Sequence, residues 1–131
     1  MILLQLRPGA RVRAANPDMI IPKDAIIAVE KIRDYLLKPL EIDDKSGFLA
    51  IGGYRREYYE RLLHDIREQL LPGEGRFQMP TSFGDRFELD GVLTGPSGDP
   101  LFVTTIWQLS PRGTWRFITL FPNMEGRIYE V

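Results

Sequence analysis

Glu88 and Asp90 stand two residues apart in a strand-like run, so both carboxylates project from one side of an extended chain. Such a pair places a general base beside a charge stabiliser, holds a Mg²⁺, or forms a solvated edge pair. Arg86, one pleat away, is suited to bidentate contact with a phosphate or to pairing with Glu88. Thr105, Trp107, Phe117 and Thr119 follow on two further runs, where Arg112 and Arg116 are the only charges between Pro100 and Met124. Hydroxyls and aromatic rings on an acid-free surface suit the stacking of a base and the holding of a phosphate. The plain alternative is that a third layer or a partner chain covers these rings. Of the other titratable groups, His64 is the only imidazole. It falls opposite the apolar stripe of its helix and is expected at the surface.

What is missing narrows the chemistry. With no cysteine and one histidine, disulfides, thiolate metal sites and two-histidine metal sites within the chain are excluded. A GxSxG elbow, a GxxxxGK[ST] loop and a GxGxxG fingerprint are all absent, which disfavours triad hydrolysis and nucleotide binding. No metal and no cofactor is expected. Basic and acidic side chains number 17 and 18, so net charge exerts no general pull toward nucleic acid or membrane. No apolar run approaches the roughly 20 residues of a membrane span, and the start lacks a basic leader and a small-residue cleavage site. The expected location is cytoplasmic.

The elements that must position these residues divide the chain in two. At 131 residues one domain is expected, with residues 1–21 as an N-terminal arm and 22–131 as a single α+β domain. Pro22 and Asp24 suit the start of a helix, and Ala25, Ala28, Val29, Ile32, Tyr35 and Leu36 share one face before Pro39 stops it. Gly47 to Gly53 fit one helical turn. A second amphipathic helix is predicted from Tyr54 to Leu71, with Tyr58, Tyr59, Leu62, Leu63, Ile66 and Leu70 as its stripe. The predicted strands are Phe83–Thr94, Leu101–Leu109 and Trp115–Phe121, with a last short one at Tyr129 to Val131. The expected fold is two N-terminal helices packed on one face of a C-terminal antiparallel sheet of about four strands.

Pairing Thr94 with Leu101 and Leu109 with Trp115 sorts the faces. One collects Phe87, Leu89, Leu93, Phe102, Thr104, Ile106, Ile118 and Leu120, the expected core. The other collects Glu88, Asp90, Val92, Val103, Thr105, Trp107, Phe117, Thr119 and Phe121.

Several segments together resemble a family of small bacterial domains with no assigned function. They are Lys31-Ile-Arg-Asp-Tyr-Leu-Leu37, Lys45 with Phe48 and Gly52-Gly-Tyr54, Gly84-Asp-Arg-Phe87, Leu93-Thr-Gly-Pro-Ser-Gly98, Thr105-Ile-Trp107 and Phe117-Ile-Thr-Leu-Phe-Pro122. Such domains occur as free-standing proteins and at the C-termini of toxin or phage-related chains. The order of helices and sheet also resembles the barnase/colicin/RelE-type ribonuclease superfamily, whose compact toxins cleave RNA without metal from an open sheet face. That resemblance implies catalytic roles for Glu88, Arg86, Arg116 and Lys45 and a phosphate contact for Thr119, while the sheet-face pattern adds Trp107, Phe117 and Thr105 as expected substrate contacts. The chain differs from that pattern in lacking a strand histidine and a net positive charge. Two functions are therefore expected to compete. One is a metal-independent endoribonuclease-like toxin with RNA as substrate and a cognate immunity or antitoxin protein as partner. The other is a non-catalytic immunity or accessory module that binds a protein.

Overall fold

The computed structural model describes residues 18–123. The arginines at 7, 11 and 13 and the predicted strand at 129–131 lie outside the described residues. Helix α1 is Val29–Lys31, continued by a π-helical turn Ile32–Leu36. Helix α2 is Ser46–Ile51, and a 3₁₀ turn Arg56–Tyr58 leads into α3, Tyr59–Asp65, continued by a π-helical turn Ile66–Leu70. The strands are β1 (Met19–Ile21), β2 (Gly73–Thr81), β3 (Gly84–Thr94), β4 (Pro100–Leu109) and β5 (Trp115–Pro122). They form one antiparallel sheet in the order β1-β2-β3-β4-β5. The α+β class stands, with five strands rather than about four.

The two additional strands have weak local signals. β2 contains Gly73, Gly75 and Pro80, which lower strand propensity. Its pairing with β3 along Arg76↔Glu88 and Phe77↔Phe87 outweighs that deficit. The first helix begins at Val29 and not near Pro22, because residue 26 belongs to the sheet. Ile26 N–H donates to the Trp115 carbonyl at 2.9 Å, and the Ile26 carbonyl accepts from Phe117 N–H at 2.8 Å. A backbone committed to β5 in this way cannot also make a helical ladder.

The chain thus borders the sheet on both sides within a few residues, Ile21 beside β2 and Ile26 beside β5. That requires a strongly curled sheet. The rings of Phe87 on β3 and Trp115 on β5 confirm it, with centroids 5.1 Å apart although β4 runs between their strands. Across a flat sheet two strand spacings amount to about 9.5 Å. Inside the curl, Ile21, Phe87, Leu89, Leu93, Leu101, Val103, Trp107, Phe117 and Leu120 pack against Ile32 and Leu36 of α1, Leu49 of α2, and Leu62, Ile66 and Leu70 of α3. Gly91 permits this close approach, since a Cβ there would run into Leu70 Cδ2.

One charge lies within the helical layer. Asp65 is 3% exposed and accepts from Tyr54 Oη at 2.7 Å and from Arg61 Nε at 2.8 Å. Partners on this scale are what make a buried carboxylate tolerable. Among the described residues no helix is long and apolar enough to cross a membrane.

Candidate functional site

The β3–β4 register differs by one residue from the expected one. Leu93 faces Leu101 and Phe87 faces Trp107, so Leu101, Val103, Thr105 and Trp107 join Leu89 and Phe87 on the helix side. A β-strand alternates sides, so a single-residue slip exchanges every β4 side chain between core and surface. The expected pairing of Leu109 with Trp115 is present, and it carries Phe117 inward beside Trp107. A bulge between the Trp107↔Phe117 and Ile106↔Thr119 pairs then absorbs Ile118 as an extra residue. Leu120 therefore returns to the core, while Thr119 stands opposite Ile106.

Trp107 and Phe117 are both 0% exposed, their rings meeting edge-on at 5.2 Å. Trp107 Nε1 donates to Thr105 Oγ1 at 2.7 Å, and Thr105 Oγ1 donates to the Leu89 carbonyl at 2.9 Å. These three residues, expected to contact a ligand, instead belong to the packed interior. The hydroxyl satisfies an indole within the core. Phe102, Thr104 and Ile106, expected inside, occupy the opposite face, where Thr104 and Ile106 are nonetheless buried.

The face opposite the helices does gather Glu88, Arg86, Arg116 and Thr119. Cross-strand pairing gives one row Arg76, Glu88, Ile106, Thr119 and a neighbouring row Met79, Arg86, Gln108, Arg116. Arg86 Nε approaches Gln108 Oε1 at 3.5 Å. Arg76 is the residue sequence reasoning overlooks, since β2 itself was not predicted. Its guanidinium bonds Glu88 Oε1 at 2.6 Å and Asp90 Oδ2 at 3.1 Å, and Thr104 Oγ1 donates to Asp90 Oδ1 at 2.7 Å. Partial burial works against the Arg76 charge, but the bond to Glu88 and the fields of both carboxylates outweigh it and hold its pKa above the ordinary value.

Lys45 reaches the β5 border from the link before α2. Its Nζ donates to Tyr35 Oη at 3.2 Å. That bond first, and the neighbouring Thr119 hydroxyl second, lower the Tyr35 pKa below the usual phenol value, with Asp43 opposing. Thr119 Oγ1 is buried close to this phenol without meeting hydrogen-bond geometry. Lys45 and Thr119 are therefore brought together around a tyrosine that sequence reasoning placed on the apolar stripe of α1.

Elsewhere, Arg33 and Arg56 both bond Asp34 and hold its carboxyl well below the usual carboxylate range. His64 is exposed. Among the described residues no group of three or more His, Cys, Asp or Glu is placed to hold a metal ion. Chemically, the arrangement offers a carboxylate fixed by a guanidinium, two arginines one row away, and an ammonium–phenol pair two strands across.

No curated protein matches the sequence. Among solved structures, a chain of a contact-dependent growth inhibition toxin–immunity protein complex from Klebsiella pneumoniae 342 is similar, with a TM-score of 0.51 at 15% identity over 76% of this chain and 100% of that one. At that identity the likeness is one of fold. A family model described as "Domain of unknown function (DUF6883)" matches residues 21–124.

Proposed function

The chain belongs to the DUF6883 family, and from that premise we propose that it is a toxin-type domain cleaving RNA without metal, on the sheet face opposite the helices. The observation carrying this reading is the cross-strand register that sets Arg86, Glu88, Arg116 and Thr119 on that face. Glu88, positioned by Arg76, takes the proton of a ribose 2′-hydroxyl. The 2′-oxygen then bonds to phosphorus, the bond from phosphorus to the 5′-oxygen breaks, and the leaving oxygen takes a proton from water. Arg86 and Arg116 supply positive charge for the phosphorane. The products are a 2′,3′-cyclic phosphate and a 5′-hydroxyl. Fold likeness to a chain of a toxin–immunity complex supports a cognate immunity protein as partner.

Purified protein is expected to cut total RNA in the presence of EDTA. Because a positioned acid or base contributes about 10²–10⁴-fold, Glu88→Gln combined with Arg86→Ala should lower the rate at least ~100-fold. Unchanged cleavage by the double variant overturns the site.

The second reading is a non-catalytic immunity or accessory module. It is favoured by Met79 and Phe83, 48% and 73% exposed near the β2–β3 turn, a place where apolar side chains gain nothing from the fold. Expression in a bacterial host separates the two: growth arrest that the double variant relieves supports cleavage, and undisturbed growth with intact RNA supports the module.

A further inference from the structure

We infer that Tyr35, Lys45 and Thr119 form a subsite for one backbone phosphate, at the β5 border beside the proposed cleavage face. It rests on the RNA-cleaving reading for its biological ligand, though not for its chemistry.

Three chain segments converge here: α1 supplies Tyr35, the link before α2 supplies Lys45, and β5 supplies Thr119. The Lys45 ammonium bonds the phenol at 3.2 Å, and among the described residues no carboxylate lies within ion-pair distance of it. An ammonium has three protons to donate, and the phenol oxygen takes one. Thr119 Oγ1 is buried with no hydrogen-bond partner among the described residues, an uncommon condition for a buried hydroxyl. Lys31 adds a second ammonium 6.0 Å from the Tyr35 ring centroid. Apart from the Asp43 carboxylate, whose field reaches Tyr35, the cluster is thus rich in donors and poor in acceptors. A phosphate group has the complement, several acceptor oxygens and negative charge. It can accept from Nζ, the phenol and the threonine hydroxyl together.

The position suits a neighbouring phosphate rather than the one being cleaved. Thr119 faces Ile106, and Ile106 faces Glu88, so two strand spacings, at most about 9.5 Å, separate the two backbone positions. Binding there adds to affinity without touching the reacting bond. The expected kinetic signature is a raised KM at nearly constant kcat.

The test uses the full chain and inorganic phosphate. Tyrosinate difference absorbance, wild type minus Tyr35→Phe, isolates Tyr35 among the five tyrosines. The charged groups facing it are Lys31 on its own helix, Lys45 and Asp43. Phosphate at tens of millimolar should raise its titration midpoint by about half a pH unit or more, since a dianion beside a phenol opposes its ionisation. Sodium chloride at equal ionic strength should not do so, and the phosphate effect should vanish in Lys45→Met. With RNA, Tyr35→Phe and Thr119→Val should raise KM about 5–10-fold and leave kcat within about twofold, a pattern that lost transition-state contacts do not give. Circular dichroism melts check that both variants remain folded. A midpoint indifferent to phosphate, or equally responsive in Lys45→Met, overturns the subsite even where RNA is cleaved. A phosphate-responsive midpoint in a protein that leaves RNA intact upholds the subsite and removes the RNA reading.

Discussion

Trp107→Ala is the sharpest check on the observed register. In the expected register this indole faces outward, and truncating a surface residue changes stability by no more than about 0.5 kcal/mol. In the observed one it is fully buried, edge-on to Phe117 and bonded to Thr105. A large aromatic side chain buries roughly 150–250 Å², which at ~25 cal/mol per Å² corresponds to about 4–6 kcal/mol. Cavity relaxation brings measured Trp truncations to ~3–5 kcal/mol. We therefore expect a loss of about 4 kcal/mol, a large part of the ~5–15 kcal/mol that holds a domain together. Urea unfolding followed by far-ultraviolet circular dichroism would show the midpoint falling by about 2 M or more. Should the alanine variant be unfolded outright, Trp107→Phe supplies the number. It keeps most of the volume, loses the indole donor to Thr105, and should cost about 1–2 kcal/mol. A loss below about 1 kcal/mol in the alanine variant would refute the inward placement of β4.

Tyr54→Phe should cost ~1.5–3 kcal/mol at neutral pH, because it removes a donor to the buried Asp65 carboxylate. Burial first, and the bond to Asp65 second, raise the Tyr54 pKa above its ordinary value. The contribution is therefore complete below about pH 10 and is lost as pH climbs toward the folded pKa. Denaturant curves should show wild type and variant converging in that alkaline range, and a constant gap would count against this account. Gly84→Ala should cost about 2 kcal/mol or more, since φ is 142° there and a Cβ would collide with the Leu109 carbonyl; a thermal melt within 2 °C of wild type would contradict that. Phe83→Ser should leave stability within about 0.5 kcal/mol, and under the protein-binding reading it should weaken capture of the cognate partner in a pull-down.

Sequence reasoning succeeds where one periodicity dominates and falters where pairing partners decide. The stripe of Leu62, Ile66 and Leu70 is visible at helical spacing, and it packs inward as expected. The bulk of β3, β4 and β5 follows from their aromatic and β-branched runs. Register was less legible. The β3–β4 loop is compatible with Thr94 facing either Leu101 or Pro100, and the aliphatic alternation of β4 suits both faces, because Val103 and Trp107 alternate with Phe102 and Ile106. The pairing of Thr94 with Leu101 turns Thr105 and Trp107 outward, and the observed pairing with Pro100 turns them in. The bulge at Ile118 has no local signature at all, yet it decides where Thr119 and Leu120 stand. Arg76 was invisible because a strand holding two glycines and a proline does not read as one. Glu88 and Arg86 share a face because β3 alternates about the buried Phe87 and Leu89, whereas Arg116 and Thr119 stand on that face together only through the bulge, since strict alternation would turn them to opposite sides. The meeting of Lys45 with Tyr35 depends on how the α1–α2 link folds back, which no spacing encodes.

The short stretch that joins β1 to the border of β5 also dictates when the molecule can finish folding. Ile26 has no sheet partner until Trp115 and Phe117 have emerged from the ribosome, and those late residues also complete the interior around Phe87 and Trp107. A nascent chain halted in the loop after β4 would hold every described helix and still lack the strand that ties them down. Native structure should therefore arise late and all at once, with the slow kinetics of contacts distant in sequence.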